Sequence, residues 1–441
     1  MTEPADSRDQ FTVRARLQAM LDVEAALAEA EASTGVIPRE AAAAIRSSAK
    51  ADLFDVDAIE TESVRAGNRA IPLVRHLTTR VSSTRPELAR YVHWGATSQD
   101  IIDTAFVLQL RASVPIVARD LSRAADAAAS QAERHTKTTM VGRTWLQHAT
   151  PITFGLKAAG WCEALDRGAD RVESRLTDTS VLQFGGASGT LAALGERGPA
   201  VAEKLGEILG LPVPPMPWHA HRDRLAALCC ALGVATGTAG KIGRDLGLLA
   251  QTEVQEAHEA ASAAGGSSTM PQKRNPVRAA IVIAAALRAP GLVATMLSSM
   301  MQEHERGLGG WQAEWETIPE LVIAARDAAR GLAEALEELV VDPARMRANL
   351  EMTGGLVLAE AVAMRLAATL GKQEAHALVD RAAARATDER RPFADVLATD
   401  PSVTNVLSRS DIDETLSADA YIGSAGRFVA TVLDRRRKKP A

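Results

Sequence analysis

Between Leu225 and Leu249 the residues Leu225, Leu228, Leu232, Ala235, Ala239, Ile242, Leu246 and Leu249 follow one another at alternating spacings of three and four. Only an α-helix returns side chains to one face at that interval. An average repeat of about 3.5 residues also keeps the stripe turned toward a nearly parallel neighbour. The stretch is therefore the seam of a long helix in a bundle. A second row runs beside it: Gly233, Gly237, Gly240, Gly243 and Gly247. Each glycine costs a helix up to about 1 kcal/mol relative to alanine, so five of them call for a compensating close approach of another backbone. The spacing fits a helix of the same chain and a helix of a second copy equally well.

The rest of the chain agrees with a helical reading. Aromatic residues make up only 3%, and alternation of Val, Ile and Thr at period two is almost absent. Proline-free tracts rich in helix formers span Ile116 to Thr150, Ile152 to Gly198, Trp218 to Met270 and Gly291 to Ile318. Strands are not expected, and the fold class is all-α. Short helices fill the first 90 or so residues, with turns near Gly35 and Gly67. Long helices fill the middle, with breaks near Gly185 to Gly189 and near Leu211 to Trp218, where four prolines impose an extended link. After Asp342-Pro343 the helices shorten. Three helical domains follow: 1–95 N-terminal, 96–342 a central long-helix bundle, and 343–441 a small C-terminal domain.

Composition narrows the function. A net charge of −5 gives no general attraction to nucleic acid or to an anionic membrane. The basic run Arg435 to Lys439 reads as a solvated chain end. Three cysteines, Cys162, Cys229 and Cys230, cannot build a disulfide framework, and their number fits a reducing cytoplasm. The first ten residues lack the basic-then-apolar pattern of a secretion signal. The apolar stretch 225–250 carries Lys241, Arg244 and Asp245, which argues against a membrane span. His219 and His221 form a pair with no third ligand nearby, so no metal site is expected.

Polar clusters on such an apolar scaffold mark the chemistry. Three stand out. In His93-Trp94-Gly95-Ala96-Thr97-Ser98-Gln99-Asp100, hydroxyls and an amide precede a helix start. The free N–H groups there suit a carboxylate, although plain capping by Ser98 or Asp100 explains the same residues. The segment Gly142-Arg143-Thr144-Trp145-Leu146-Gln147-His148-Ala149-Thr150-Pro151 places Gln147 and His148 between two long helices. The third, Gly265 to Pro276, runs through small flexible residues, Ser267 and Ser268, to Lys273 and Asn275. A lysine and an amide beside mobile hydroxyls suit a dianionic substrate under a closing loop. No strand precedes the glycines and no Lys-Ser/Thr follows them, so this is not a phosphate loop. Together the residues read as proton abstraction beside a carboxylate. A serine acts as base only in a closed site with positive charge close by, which Lys273 supplies.

Gly266-Ser267-Ser268-Thr269-Met270-Pro271-Gln272-Lys273-Arg274-Asn275-Pro276 resembles the signature of the fumarase/aspartase superfamily, and the segments at 97–100 and 142–151 resemble its two other active-site regions in the same order. The resemblance extends over nearly the whole chain. Within the superfamily, residues 93–100, 143–148, 302–312 and 354–360 are similar to the 3-carboxy-cis,cis-muconate cycloisomerases. That implies cycloisomerisation of a small polycarboxylate, 3-carboxy-cis,cis-muconate, to 4-carboxymuconolactone in protocatechuate breakdown (the β-ketoadipate pathway). It implies a homotetramer with active sites shared by three subunits, and neither metal nor organic cofactor. By match to the motif, Ser267 is the general base with Ser268 beside it, and Lys273 and Asn275 hold a carboxylate. Thr97, Ser98, Gln99, Gln147 and Arg306 face the substrate. His148 and His93 are candidate proton donors, with His93 also facing the substrate.

Trp145 separates the possible reactions. Lyases of the superfamily carry a histidine at that place, which assists a leaving group. A carboxylate needs less acid assistance as a leaving group, so Trp145 fits lactone chemistry. Gln272 and His221 stand where the cycloisomerases commonly have His and Gln. A β-eliminating lyase of a succinyl-type substrate that releases fumarate is therefore the alternative. A purely structural role is the third reading, and the intact set Ser267, Lys273 and Asn275 argues against it.

Overall fold

A computed structural model describes residues 7–260, 265–266, 270 and 273–439. The architecture is helical, as expected. The elements used below are α1 (Val13–Ser33), α2 (Ser98–Arg134), α3 (Phe154–Thr179), α4 (Asp223–Leu249), α5 (Val277–Ser299), α6 (Gly310–Glu337), and the C-terminal α7 (Ala359–Leu370), α8 (Lys372–Glu389) and α9 (Ala425–Arg437). The chain divides into two compact units. The first comprises 1–120, 168–238 and 284–330, and the second 121–167, 239–283 and 331–441. Their boundary cuts through each of α2 to α6.

The seam read from the sequence is the buried face of α4. All eight of its residues are at most 5% exposed. The glycine row divides. A side chain at Gly233 would strike Val293 of α5, and one at Gly243 would press on Val282 of α5, so these two admit a neighbouring helix of the same chain. Gly237 and Gly247 meet nothing within 4 Å. Helix α5 is apolar around most of its circumference, yet only 22% of its most apolar stretch is buried. Ile281, Leu287 and Leu297 stand exposed on it. By length and composition alone, α2, α4 and α5 are each capable of crossing a membrane. The charges of α4 therefore do not by themselves exclude it, contrary to the sequence expectation.

Strands do occur. β1 (Thr139–Thr144) and β2 (Gln147–Thr153) form an antiparallel hairpin. Its β-branched residues Thr139, Val141, Thr144, Thr150, Ile152 and Thr153 favour pleated backbone, and Val141 packs with Leu350 and Leu358 of the second unit. The helix-forming tracts on either side mask this short signal. Two smaller pairings join β3 (Ala257–Glu259) to β6 (Leu339–Val341) and β4 (Gly265–Gly266) to β5 (Arg274–Asn275). Helix α2 runs through Pro115, and its start at Ser98 agrees with the helix that the sequence places from about Asp100.

In the second unit, α7 and α8 enclose a core of their own, with Val362, Leu366, Leu378, Phe393, Leu397 and Ile412 buried together. The basic end is not a solvated tail. It continues α9, and Arg436 reaches Asp126, Asp166 and Ser122 Oγ while Arg437 pairs with Glu133. Cys162, Cys229 and Cys230 are free thiols.

Candidate active site

The first unit holds the His93 segment and Arg306. The 3-10 turn Pro86–Tyr91 leads into a loop, and α2 starts at Ser98. Asp100, buried in the first turn of α2, organises this loop. Its carboxylate accepts from the backbone N–H of Thr97 (3.0 Å), Gly185 (2.9 Å) and Gly186 (2.9 Å), and from His219 Nε2 (2.7 Å). Capping is thus the work of Asp100, which leaves the hydroxyl of Thr97 for Arg306. Arg306 Nη1 donates to Thr97 Oγ1 (3.2 Å) and Nη2 to the Ala187 carbonyl (2.9 Å). Two residues more than two hundred positions apart thereby meet, both half-buried.

His93 stands four residues before Thr97, in a left-handed backbone conformation (φ 58°) rare for a residue with a side chain. Its Nδ1 lies 2.6 Å from Oε1 of Glu24 on α1. Burial alone would lower its pKa. Glu24, through charge and hydrogen bond, and then Asp100 overcome that and raise it. Gln99 is fully buried, and its amide donates to Asp103 (3.1 Å) and to the His219 carbonyl (2.9 Å), so it braces the loop from within. Beneath it, Arg222 bridges Asp103 and Glu314, and the Trp311 indole donates to Asp103 (2.9 Å).

The second unit holds the remaining candidates. Trp145 and Leu146 form the two-residue turn between β1 and β2, at φ 51° and 64°. A two-residue hairpin with both φ positive normally uses Asn-Gly, because a side chain there collides with its own backbone. Here the positions hold bulky residues whose side chains stand out, 95% and 79% exposed. Gln147 is exposed beside them, and His148 lies half-buried opposite Arg143 in the hairpin register. Arg143 makes a two-pronged pair with buried Glu256 (2.8 and 2.7 Å), which Asn349 also holds (2.9 Å). Partial burial and the Arg143 charge lower the pKa of His148 against an opposing pull from Glu256. The ring is therefore kept toward the neutral form that can accept a proton. Lys157, near Arg143 and Asp245, is lowered chiefly by burial.

Ser267 and Ser268, with Gln272, lie outside the described residues. The strands β4 and β5 flank them, with Gly265 opposite Asn275 and Gly266 opposite Arg274. Lys273 is exposed and its N–H donates to the Met270 carbonyl (3.0 Å). Among the described residues no group of three or more His, Cys, Asp or Glu side chains is placed to hold a metal. Sequence reading missed Glu24, Arg222, Glu256 and Glu314, and met His219 only as half of a histidine pair weighed for a metal. For Glu24 and Glu314 the available signal was a charged residue on a helical face that calls for apolar ones, whereas Arg222 and Glu256 lie outside the helices and carry no such signal.

Residues 1–291 match the family described as Lyase, and residues 355–432 match the adenylosuccinate lyase C-terminus. The chain belongs to this lyase family, within the fumarase/aspartase superfamily, and is an enzyme of that kind. It is 51% identical to a 3-carboxy-cis,cis-muconate cycloisomerase of Pseudomonas aeruginosa over 97% of this chain and 94% of that one. A protein of the same description from Bradyrhizobium diazoefficiens is 49% identical over 98% of this chain and 96% of the other. The crystal structure of the 3-carboxy-cis,cis-muconate lactonizing enzyme from Pseudomonas putida superimposes with a TM-score of 0.92 at 47% identity, covering 98% of this chain and 97% of that one.

Proposed function

We propose that this chain is a 3-carboxy-cis,cis-muconate cycloisomerase that forms 4-carboxymuconolactone. The observation that carries the reading is likeness along the whole chain to enzymes named for this reaction, at about half of all positions. Trp145 supports it over β-elimination, since the turn it occupies offers no acid to a leaving group. One substrate carboxylate attacks its own double bond, so a C–O bond forms. The electron pair of that double bond becomes an aci-carboxylate next to a second carboxyl group. A proton then adds at the carbon α to that carboxyl. The lactone has one carboxylate fewer than the substrate, so one proton is taken from water per turnover.

In this reading Ser267 delivers that proton, and removes it in the reverse direction. Lys273 and Asn275 clamp the carboxylate on which charge develops, with Ser268 beside them. His148 restores the proton to Ser267. His93, Thr97, Ser98, Gln99, Trp145, Gln147 and Arg306 hold or enclose the remaining carboxylates. No metal or organic cofactor enters these steps.

The working form in this proposal is a cytoplasmic homotetramer with each site shared by three subunits, acting in protocatechuate degradation. The exposed apolar residues of α5, the open Gly237 and Gly247, and the strained, outward-facing Trp145-Leu146 turn support assembly with further copies. In this proposal the pattern of helices and breaks divides the chain into domains 1–95, 96–342 and 343–441. The test is direct. Mixed with 3-carboxy-cis,cis-muconate, the protein removes the ultraviolet absorbance of the diene. An unchanged spectrum at high protein concentration refutes the assignment.

A further inference from the structure

Helix α1 carries two glutamates seven residues apart, Glu24 and Glu31, each only 1% exposed. Seven residues are nearly two turns, so both lie on the buried face. Buried carboxylates are costly unless paired, and only one has an obvious partner. Glu24 Oε1 meets His93 Nδ1 at 2.6 Å. Among the described residues Glu24 Oε2 and both oxygens of Glu31 meet no hydrogen-bond donor. Burial, with the neighbouring Glu24 charge, pushes Glu31 up to about 9, so it is neutral at pH 7. Glu24 is the carboxyl group that lies against the imidazole.

At 2.6 Å the contact places one proton between Nδ1 and the carboxyl oxygen, and a ring that carries it donates it to Glu24. The other ring nitrogen has no protein partner among the described residues, and the side chain of His93 is 17% exposed while that of Glu24 is fully enclosed. The left-handed backbone at His93 fixes where the ring begins, and Glu24 fixes how it turns. The titratable groups around the ring are Glu24, with Glu31 beyond it, on α1 and Asp100 in the first turn of α2. All are acidic, and Asp100 is already occupied by three N–H groups and His219.

We propose that Glu24 is a positioning residue that orients the ring of His93 and keeps it doubly protonated, so that Nε2–H binds a substrate carboxylate as a cationic donor. This rests on the reading of His93 as a substrate-side residue. It adds a role for α1, which the active-site segments do not include, and gives His93 the role of anion binder and not of proton donor. A neutral imidazole that gives its Nδ1 proton to a carboxylate offers Nε2 only as an acceptor, whereas the doubly protonated ring donates from both nitrogens.

The probe is propane-1,2,3-tricarboxylate, titrated into the full chain by calorimetry at pH 7.5 in two buffers of different ionisation enthalpy. Glu24→Gln is expected to weaken binding about tenfold, the loss of one charge-assisted hydrogen bond, and to increase proton uptake on binding, since a neutral ring must then be protonated. His93→Gln is expected to weaken binding similarly without that added uptake, and Glu24→Gln in the His93→Gln background to add nothing further. Nitrogen NMR of the histidine-labelled wild-type chain, with His93 assigned by its absence in His93→Gln, gives a reading that needs no Glu24 variant. Both ring nitrogens are expected at protonated positions at pH 7.5. A neutral ring overturns the proposal, as does wild-type affinity in Glu24→Gln, a Glu24→Gln defect that persists without His93, or no tricarboxylate binding by the wild-type chain. If these binding results hold and 3-carboxy-cis,cis-muconate is not turned over, the cycloisomerase reading alone fails.

Discussion

Replacing Arg222 by methionine keeps side-chain length and removes a charge that holds two others in place. The guanidinium is fully buried. Its Nε donates to Glu314 (3.0 and 3.1 Å), Nη1 to Asp103 (2.7 Å), and Nη2 to Glu314 (2.5 Å) and Asp103 (3.2 Å). It also lies 4.8 Å over the Trp218 ring. In the variant Asp103 keeps the Trp311 indole and the Gln99 amide, whereas Glu314, 1% exposed, loses every hydrogen bond it has among the described residues. Removing one partner of a buried pair costs about 3–5 kcal/mol, a large part of the ~5–15 kcal/mol that holds a folded protein together. Burial already raises the pKa of Glu314 against the opposing effect of Arg222. Without Arg222 it rises further, so the folded variant holds a proton there that the unfolded chain releases as pH increases. The deficit is therefore largest at pH 8 and shrinks toward pH 5, as Glu314 takes up a proton more readily than in the unfolded chain. Urea unfolding at fixed protein concentration, at both pH values, reads it. Adding Glu314→Gln is expected to recover part of the loss. A deficit below about 1 kcal/mol at pH 8, or one indifferent to pH, refutes this account of the cluster.

Changing Trp145-Leu146 to Asn-Gly relieves two left-handed bulky residues, each costing roughly 1–2 kcal/mol. It is expected to raise the unfolding midpoint while turnover falls at least tenfold, about 1.4 kcal/mol in the barrier. Unchanged turnover would mean that the strained turn has no role in the site. Arg436→Ala leaves Asp126 and Asp166 without their shared partner and is expected to cost about 1–3 kcal/mol in urea unfolding, whereas Arg435→Ala, its exposed neighbour, is expected to change stability by less than about 0.5 kcal/mol. Equal effects of the two would return the basic run to a solvated end.

The sequence made legible whatever depends on periodicity. The stripe from Leu225 to Leu249 is buried on one face because a helix repeats its side chains at a fixed angle, and no other part of the chain is needed to see it. The breaks at Gly185 to Gly189 and at the prolines near 211–217 were visible for the same local reason. The hairpin at 139–153 was not. Its strands are short, and its stability comes from pairing across the turn and from Leu350 and Leu358, far away in sequence. In the site, Thr97 and Arg306 were named separately, but no local signal joins residues so far apart. The acidic residues that orient the site were hidden more deeply. Glu24, Glu256 and Glu314 read as ordinary helix or loop charges until their burial is known, and burial belongs to the fold as a whole. The capping role weighed for Ser98 or Asp100 falls to Asp100, whose carboxylate has four donors.

The central claim is addition of a carboxylate to a double bond with proton delivery at the neighbouring carbon. The measurement that meets it most directly is turnover of 3-carboxy-cis,cis-muconate in deuterated water, with the product read by NMR. The wild-type chain is expected to form 4-carboxymuconolactone carrying one deuterium at the carbon α to a carboxylate, and Ser267→Ala to lose that product. Failure to form the lactone, paired with fumarate release from a succinyl-type substrate, would contradict the central claim.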